Sequence, residues 1–354
     1  MMAYFLGAAF VVAADVAIDG VMHMRSVARQ NRAIALWNSP LSRLGRCGIY
    51  SLRATTAVEE ALTEIYEIEP YGWTYTNGLY FAGSRVPERI VVFASAAVAV
   101  IDVILYEDYA FAVRYVDEAA LELTDRLCLP RIPVFGFVCR AGLDEEPRYL
   151  PAASGRPVGV TGRPWLPGLL RARLGDSDEG SCLPDHFEPA FQAASWAYEQ
   201  QSNLFWDMLR EFPHWWTIMN LRLDDEQDET VDLVCAGPNA VFAIDVSNVD
   251  PDGSVKRISR HIHRLRAYLP WANLVPVIIT DSVRRMEFGP HVDTAGNKIA
   301  WINPDCFTEF ARKVRLRGLS AAEIAFLNAP APGWRRTVGF GPDGPEVSWG
   351  WTDE

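Results

Sequence analysis

The chain has 354 residues, which is long enough for two domains of ordinary size. With 49% hydrophobic and 22% charged residues, the composition is typical of a globular protein and not of a disordered one. The formal net charge of −12 excludes a surface that is basic throughout, so any contact with nucleic acid has to use a local basic patch.

The first predicted element is the apolar stretch at residues 1–24. It lacks a basic leading region and a clear small-residue cleavage site, which argues against a secretory signal. Asp15 and Asp19 would be costly in lipid, so we expect a buried strand or helix, with a membrane anchor as the less favoured alternative. None of the six cysteines forms a C-x-x-C pair, which predicts reduced thiols in a cytoplasmic protein.

An internal repeat organises the chain. Two segments, Gly72–Tyr106 and Trp215–Val249, share identities at a constant offset of 143 residues. The matches are Trp73 with Trp216, Thr74 with Thr217, Asn77 with Asn220, Ile101-Asp102-Val103 with Ile244-Asp245-Val246, and Pro133-Val134 with Pro276-Val277. The repeat predicts two related α/β domains, each with a central mixed sheet flanked by helices, and it allows the two copies to pair as an intrachain pseudo-dimer.

The predicted elements follow the same order in both copies. Each copy opens with a helix (AVEEALTEIYEI, then FQAASWAYEQQSNLFWDMLREF) and continues with a strand, a hairpin, a second helix (YVDEAALELTDRLCL, then SVKRISRHIHRLRAYL) and a further strand. The second copy adds the strand KIAWIN and a helix opened by Asn303-Pro304. We predict a first domain at residues 1–139, a linker or insertion at 140–184 with one short helix (LPGLLRARL), a second domain at 185–318, and a tail at 319–354.

Two acids mark the hairpin of the second copy. Asp232 stands near the start of its first strand, Asp245 ends its second strand, and Glu199 lies in the preceding helix. This order resembles the nuclease-related domain (NERD) family, with GPNAVFAID as the most specific fragment and about residues 193–315 covered. The resemblance implies two tandem restriction-endonuclease-like domains. It also implies a PD-(D/E)XK site, in which Asp232, Asp245 and Glu199 bind Mg²⁺ or Mn²⁺ for phosphodiester hydrolysis.

The sequence departs from that family pattern at the lysine. Ser247 stands where the acid-x-Lys motif requires a cation, and Lys256 is the nearest substitute. In the first copy Arg89 replaces the counterpart of Asp232, and only Asp102 remains. We therefore expect a degenerate, catalytically impaired pseudo-nuclease that binds nucleic acid or a protein partner. The alternative is an active metal-dependent DNA nuclease with a relocated cation.

One predicted helix is strongly basic. Lys256, Arg257, Arg260 and Arg264 lie on the polar side of an apolar stripe. This pattern favours a face that contacts the phosphates of DNA. The alternative is pairing with the protein's own acids, including the run at residues 224–229.

Overall fold

The computed structural model describes residues 39–68, 73–81, 84–105, 109–127, 132–175, 187–223, 230–248, 251–292, 296, 298–329, 334–341 and 344–351. The predicted apolar element at residues 1–24 lies outside these ranges. Within them, no helix is both long enough and apolar enough to cross a membrane. The architecture is α/β, with two six-stranded mixed sheets flanked by helices, as predicted.

The first sheet has the strand order β1-β2-β3-β4-β6-β5. Its half of the chain contains α1 (Pro40–Ile68), β1 (Thr74–Phe81), β2 (Ser84–Phe93), β3 (Val98–Ile104), α2 (Tyr109–Leu127), β4 (Val134–Arg140), β5 (Arg148–Pro151), β6 (Pro157–Gly162) and α3 (Leu166–Leu174). Strands β1 to β3 form an antiparallel meander, and β4 returns parallel to β3 after the crossover through α2. All seven residues of β3 are buried because α1 and α3 cover one face of the sheet and α2 covers the other.

The segment predicted as a linker or insertion is part of the first domain. Strand β6 pairs in parallel with β4, β5 pairs antiparallel with β6, and the apolar side of α3 is buried against the sheet. The prediction was wrong because the density of Gly, Pro and acidic residues in 140–184 suggested a loop. Only β5 lies at the edge of the sheet, and β6 begins at Pro157, a first position of a strand at which proline is tolerated.

The second sheet has the strand order β11-β12-β10-β9-β8-β7. Its elements are α4 (Glu188–Glu211), β7 (Trp216–Arg222), β8 (Thr230–Ala236), β9 (Val241–Val246), α5 (Pro251–Tyr268), β10 (Leu274–Ile279), β11 (Met286–Val292), β12 (Lys298–Ile302), α6 (Phe307–Lys313) and α7 (Ala321–Asn328). Helices α4 and α6 pack on one face of the sheet, and α5 and α7 pack on the other. The predicted cap is confirmed, since the side chain of Asn303 accepts a hydrogen bond from the backbone N–H of Asp305.

The predicted tail also contains regular structure. Helix α7 begins at a capping box formed by Ser320 and Glu323, and it buries Ile324 and Leu327 in the second domain. A separate hairpin follows, made of β13 (Trp334–Gly341) and β14 (Gly344–Trp351). The second domain therefore extends at least to the end of α7, beyond the predicted boundary at residue 318.

The repeat is visible in both sheets, but the identities in its first strand are one residue out of register. The pairs that set the register are Thr74 with Phe93 in the first sheet and Trp216 with Ala236 in the second. The counterpart of Trp73 is therefore Trp215 and not Trp216. Trp73 and Trp215 both precede the first strand and are buried against the same face of the central strands.

The match between Pro133 and Pro276 is also out of register. The N–H of Val98 donates to the carbonyl of Pro133 at 3.0 Å, and the N–H of Val241 donates to the carbonyl of Asn273 at 3.1 Å. Asn273 is therefore the structural counterpart of Pro133. The crossover through α5 is three residues shorter than the crossover through α2, so a constant offset of 143 cannot hold beyond it.

Helices α1 and α4 each pack on both sheets. Leu44, near the start of α1, is fully buried in the core of the second sheet beside Trp216. Phe187, which precedes α4 and lies 143 residues after Leu44, is buried in the first sheet, with its ring centroid 6.3 Å from that of Phe93. The later turns of each helix cover the sheet of their own half. Each half therefore contributes apolar side chains to the core of the other.

Candidate active site

The hairpin of β8 and β9 positions the two acids. Both strands are buried throughout because they are rich in Val, Ile and Phe and have helices on both faces. The last ladder pair before the acids joins Leu233 to Ile244, so Asp232 and Asp245 face each other one step further along. Residues that oppose each other across a ladder point to the same face of the sheet, so the structure brings these two carboxylates together.

The carboxylate of Asp232 is bound to the neighbouring strand. Its Oδ2 atom accepts a hydrogen bond from the backbone N–H of Val246 at 2.8 Å, and the residue is 1% exposed. Here the side chain of Asp232, and not a backbone carbonyl of β8, accepts the hydrogen bond from the N–H of Val246 in β9. The carboxylate therefore satisfies a buried donor that would otherwise cost free energy.

The carboxylate of Asp245 is held by an arginine. Arg257 on α5 donates from Nε to Oδ1 at 3.0 Å and from Nη2 to Oδ2 at 3.1 Å, which is the bidentate geometry. The side chain of Asp245 is 0% exposed and that of Arg257 is 14% exposed, so the pair is buried. Ser254, one turn earlier on α5, accepts a further bond from Nη2 of Arg257 at 2.9 Å and fixes the guanidinium.

Glu199 lies outside this cluster. It is exposed on α4, whereas Gln201, two residues further on, is buried and faces the hairpin. The side-chain amide of Gln201 donates to Oδ1 of Asn220 at 2.7 Å and to the backbone carbonyl of Asp232. Sequence reasoning missed Gln201, and a signal was available in the Gln200-Gln201 pair beside the apolar stripe of the helix.

Asn220 has an unusual backbone conformation. Its φ angle is +50°, in the left-handed region, where asparagine is enriched among residues other than glycine. Its Nδ2 atom donates to the hydroxyl of Thr55 on α1 at 3.4 Å. Asn220 therefore links the acid hairpin, through Gln201, to the helix contributed by the first half of the chain.

The proposed substitute cation points away from the acids. Lys256 is exposed, although its neighbour Arg257 faces Asp245, because one residue step rotates a helical side chain by about 100°. Ser247 is 6% exposed, and its backbone N–H donates to the carbonyl of Ile279 at 3.0 Å. The cation beside the acids is therefore the guanidinium of Arg257, which is paired and cannot lose its proton at any physiological pH.

The basic residues of α5 differ in their exposure and in their contacts. Lys256 and Arg260 are exposed one turn apart, with His263 exposed and Arg264 half-buried on the following turn. Arg257 lies only about 20° around the helix from Arg264, and its guanidinium is bound to Asp245. Of the four basic residues considered for phosphate contacts, Lys256 and Arg260 are exposed on the outer face and Arg264 lies at its half-buried edge.

The donor set does not fit a divalent cation of the kind that the family resemblance implies. Mg²⁺ and Mn²⁺ prefer several carboxylate or carbonyl oxygens. Both oxygens of Asp245 accept from Arg257, one oxygen of Asp232 accepts from Val246, and Glu199 lies on the outside of α4. In the part of the chain that the structure describes, no group of three or more His, Cys, Asp or Glu residues is arranged to hold a metal ion.

No family model, curated protein or solved structure matches this chain. Its class therefore rests on its own geometry. Its described residues form an α/β architecture with two mixed six-stranded sheets, and two carboxylates and an arginine cluster at the carboxyl end of β9 in the second sheet.

Proposed function

We propose that this chain is a catalytically impaired, nuclease-like protein that binds nucleic acid through the outer face of α5. The single observation that carries the first part is the bidentate contact of Arg257 with Asp245. A metal-dependent nuclease needs carboxylate oxygens free to bind the metal and a cation placed beside the attacking water. Here a guanidinium occupies the metal-binding side of one carboxylate.

Because the pair of Arg257 and Asp245 is buried, a metal ion cannot easily displace the arginine. Removing Arg257 from Asp245 would leave a fully buried carboxylate without its counter-charge, which costs about 3–5 kcal/mol. If a divalent cation displaced the arginine, its bonds to the carboxylates would have to offset this free energy, and Glu199 is too far outside the cluster to add a third carboxylate. The arrangement therefore favours a structural role for the acid pair over a catalytic one.

The outer face of α5 supports nucleic-acid binding. Lys256, Arg260 and Arg264 recur at intervals of four residues, so their charged groups form one row along the helix. A row of cations one turn apart suits a phosphate backbone, because that contact requires charge rather than a shaped pocket. The overall charge of −12 would confine such binding to this row.

Plasmid nicking in Mg²⁺ and in Mn²⁺ tests the catalytic part of the proposal. We expect no cleavage by the wild-type protein, and none by Asp245→Asn, which serves as the background control. Metal-dependent cleavage that disappears in Asp245→Asn would refute the proposal. It would support the alternative of an active nuclease with a relocated cation, and Lys256→Ala would then show whether Lys256 is that cation.

Binding of a labelled DNA duplex at several salt concentrations tests the second part. We expect the triple variant Lys256→Ala, Arg260→Ala, Arg264→Ala to bind DNA more weakly. The slope of log K against log salt concentration should become shallower by roughly 0.9 for each phosphate contact that is lost. The matched control removes three exposed charges elsewhere, at Arg284, Lys298 and Arg317. Equal loss in both variants would indicate a general charge effect and would contradict a specific face.

A protein partner is the second candidate, because the nuclease-like arrangement is kept while Arg257 holds Asp245. Helices α1 and α4 each cover both sheets, which supports an intrachain pseudo-dimer with an interface already built in. If duplex DNA does not bind at low salt, a protein partner becomes the better hypothesis. A cytoplasmic location is part of the same proposal, because none of the six cysteines forms a C-x-x-C pair.

A further inference from the structure

A pocket of about 320 Å³ opens where α1, β1 and α4 meet. Its lining residues are Glu59, Leu62, Thr63, Tyr66, Tyr75 and Tyr198. Four of them lie three or four residues apart on α1 and form one stripe of that helix, β1 supplies Tyr75, and α4 supplies Tyr198. The pocket therefore lies between the two halves of the chain.

The pocket combines three phenol rings with one carboxylate. No cation within the described ranges pairs with the carboxylate of Glu59. The hydroxyl of Thr63 donates a hydrogen bond to the backbone carbonyl of Glu59 at 2.9 Å. Burial, and then the nearby carboxylate of Glu59, raises the pKa of Tyr198 to about 12, and burial also raises the pKa of Tyr75. Both phenols are therefore neutral at physiological pH. Glu59, which is exposed, is the acidic group of the pocket, and partial burial of its carboxyl raises its pKa above the ordinary value.

The fold does not require this chemistry. At an offset of 143 residues, the counterparts of Glu59, Leu62, Thr63, Tyr66 and Tyr198 are Ser202, Phe205, Trp206, Leu209 and Thr55. None of these counterparts is acidic and none is a tyrosine, although α4 packs on its sheet as α1 does. A carboxylate among aromatic rings is thus a feature of one half only, and Glu59, Thr63 and Tyr66 line the pocket from exposed positions of α1.

We propose that this pocket binds an organic cation that carries a quaternary ammonium group. The faces of aromatic rings attract such cations, and methyl groups around the nitrogen pack on the rings without requiring hydrogen-bond acceptors. A single carboxylate supplies the counter-charge but too few oxygens for Ca²⁺ or Mg²⁺. The volume lies at the lower end of the range for ligand pockets, which suits one small ligand or one side chain.

Calorimetric titration of the full chain with choline tests this proposal. The control ligand is 3,3-dimethylbutan-1-ol, which has the same shape as choline but carries no charge. We expect choline to bind at least about tenfold more tightly than the neutral control, because both the rings and Glu59 favour the charge. Equal binding of the two, or no binding of choline at millimolar concentration, would overturn the proposal.

Two variants and one matched control locate the site. Glu59→Gln and Tyr198→Leu are each expected to weaken choline binding about five- to tenfold. Glu67→Gln removes the same charge from an exposed position of α1 outside the pocket, and should leave the affinity unchanged. Unchanged affinity in Glu59→Gln, in a protein that melts as the wild type or higher, would contradict the assignment.

The quaternary ammonium group could belong to a free metabolite or to a trimethylated lysine of a protein. A short peptide that contains trimethyllysine forms the second arm of the titration, and the same peptide with unmodified lysine is its control. Tighter binding of the trimethylated peptide than of choline would identify a protein ligand. The reverse order would identify a small molecule, and failure of both arms would refute the site.

Discussion

Replacing Arg257 by methionine should strongly destabilise the second domain. The substitution keeps most of the aliphatic stem, so the packing of α5 changes little, but it leaves Asp245 buried without its counter-charge. The wild-type pair has two charge-assisted bonds at 3.0 and 3.1 Å, and the side chain of Asp245 is 0% exposed. Breaking a buried pair from one side costs about 3–5 kcal/mol, a large share of the total stability of a domain.

The measurement is urea-induced unfolding followed by circular dichroism and tryptophan fluorescence. Lys256→Met is the matched control, since it removes the same charge from the adjacent, exposed position and should change the free energy of unfolding by no more than about 0.5 kcal/mol. The double variant Asp245→Asn, Arg257→Met should cost less than the sum of its single changes, by about 0.5–3 kcal/mol. If Arg257→Met is no more destabilising than Lys256→Met, Arg257 does not hold Asp245 and the structural account of the acid pair fails.

Three further outcomes are expected. Leu44→Ala should lower the free energy of unfolding by about 2–5 kcal/mol, because Leu44 is buried in the core of the second sheet although it belongs to the first half. Leu143→Ala, at an exposed position, is the control and should have little effect in the same urea titration. Gly48→Ala would place a Cβ 2.7 Å from Cζ2 of Trp216, a clash that costs about 1–3 kcal/mol and is offset by about 1 kcal/mol of helix propensity. A stabilisation of about 1 kcal/mol in urea, which is the value for an unhindered position, would show that α1 does not pack there. Glu59→Gln should raise the melting temperature slightly at pH 7, because partial burial of the carboxyl raises the pKa of Glu59 while the exposed residue stays largely hydrated. The gain should vanish below the ordinary pKa of 4.5, where both side chains are neutral, and a gain that persists at pH 4 would rule out this cause.

The hairpin with its two acids could be predicted from the sequence because its signals are local. Runs of Val, Ile and Phe on either side of Gly237-Pro238-Asn239 specify two buried strands and a turn. The helices were predicted for the same reason, since an apolar stripe with a period of 3.6 residues is a property of a short segment. Their starts were less accurate: α1 begins at Pro40, seventeen residues before the predicted helix.

The residues that contact the acids could not be chosen from the sequence. Arg257 and Lys256 are adjacent basic residues, and only the rotation of α5 against the sheet decides which of them faces Asp245. Glu199 and Gln201 differ in the same way on α4, where the carboxylate is exposed and the amide faces the hairpin. A rotation of about 100° for each residue along the helix therefore decides whether a carboxylate, an amide or a cation faces the hairpin.

The sequence by itself determined the α/β class, the two repeated halves and the acid hairpin, because periodicity, turn residues and internal similarity are carried by the order of residues along the chain. Only the tertiary structure decided that Arg257 occupies the side of Asp245 where a metal would bind, that α1 and α4 each cover both sheets, and that Glu59 meets three tyrosines between the halves. These contacts join residues that are distant in sequence or differ only in their direction on a helix. They follow from how whole elements pack, which no local pattern specifies.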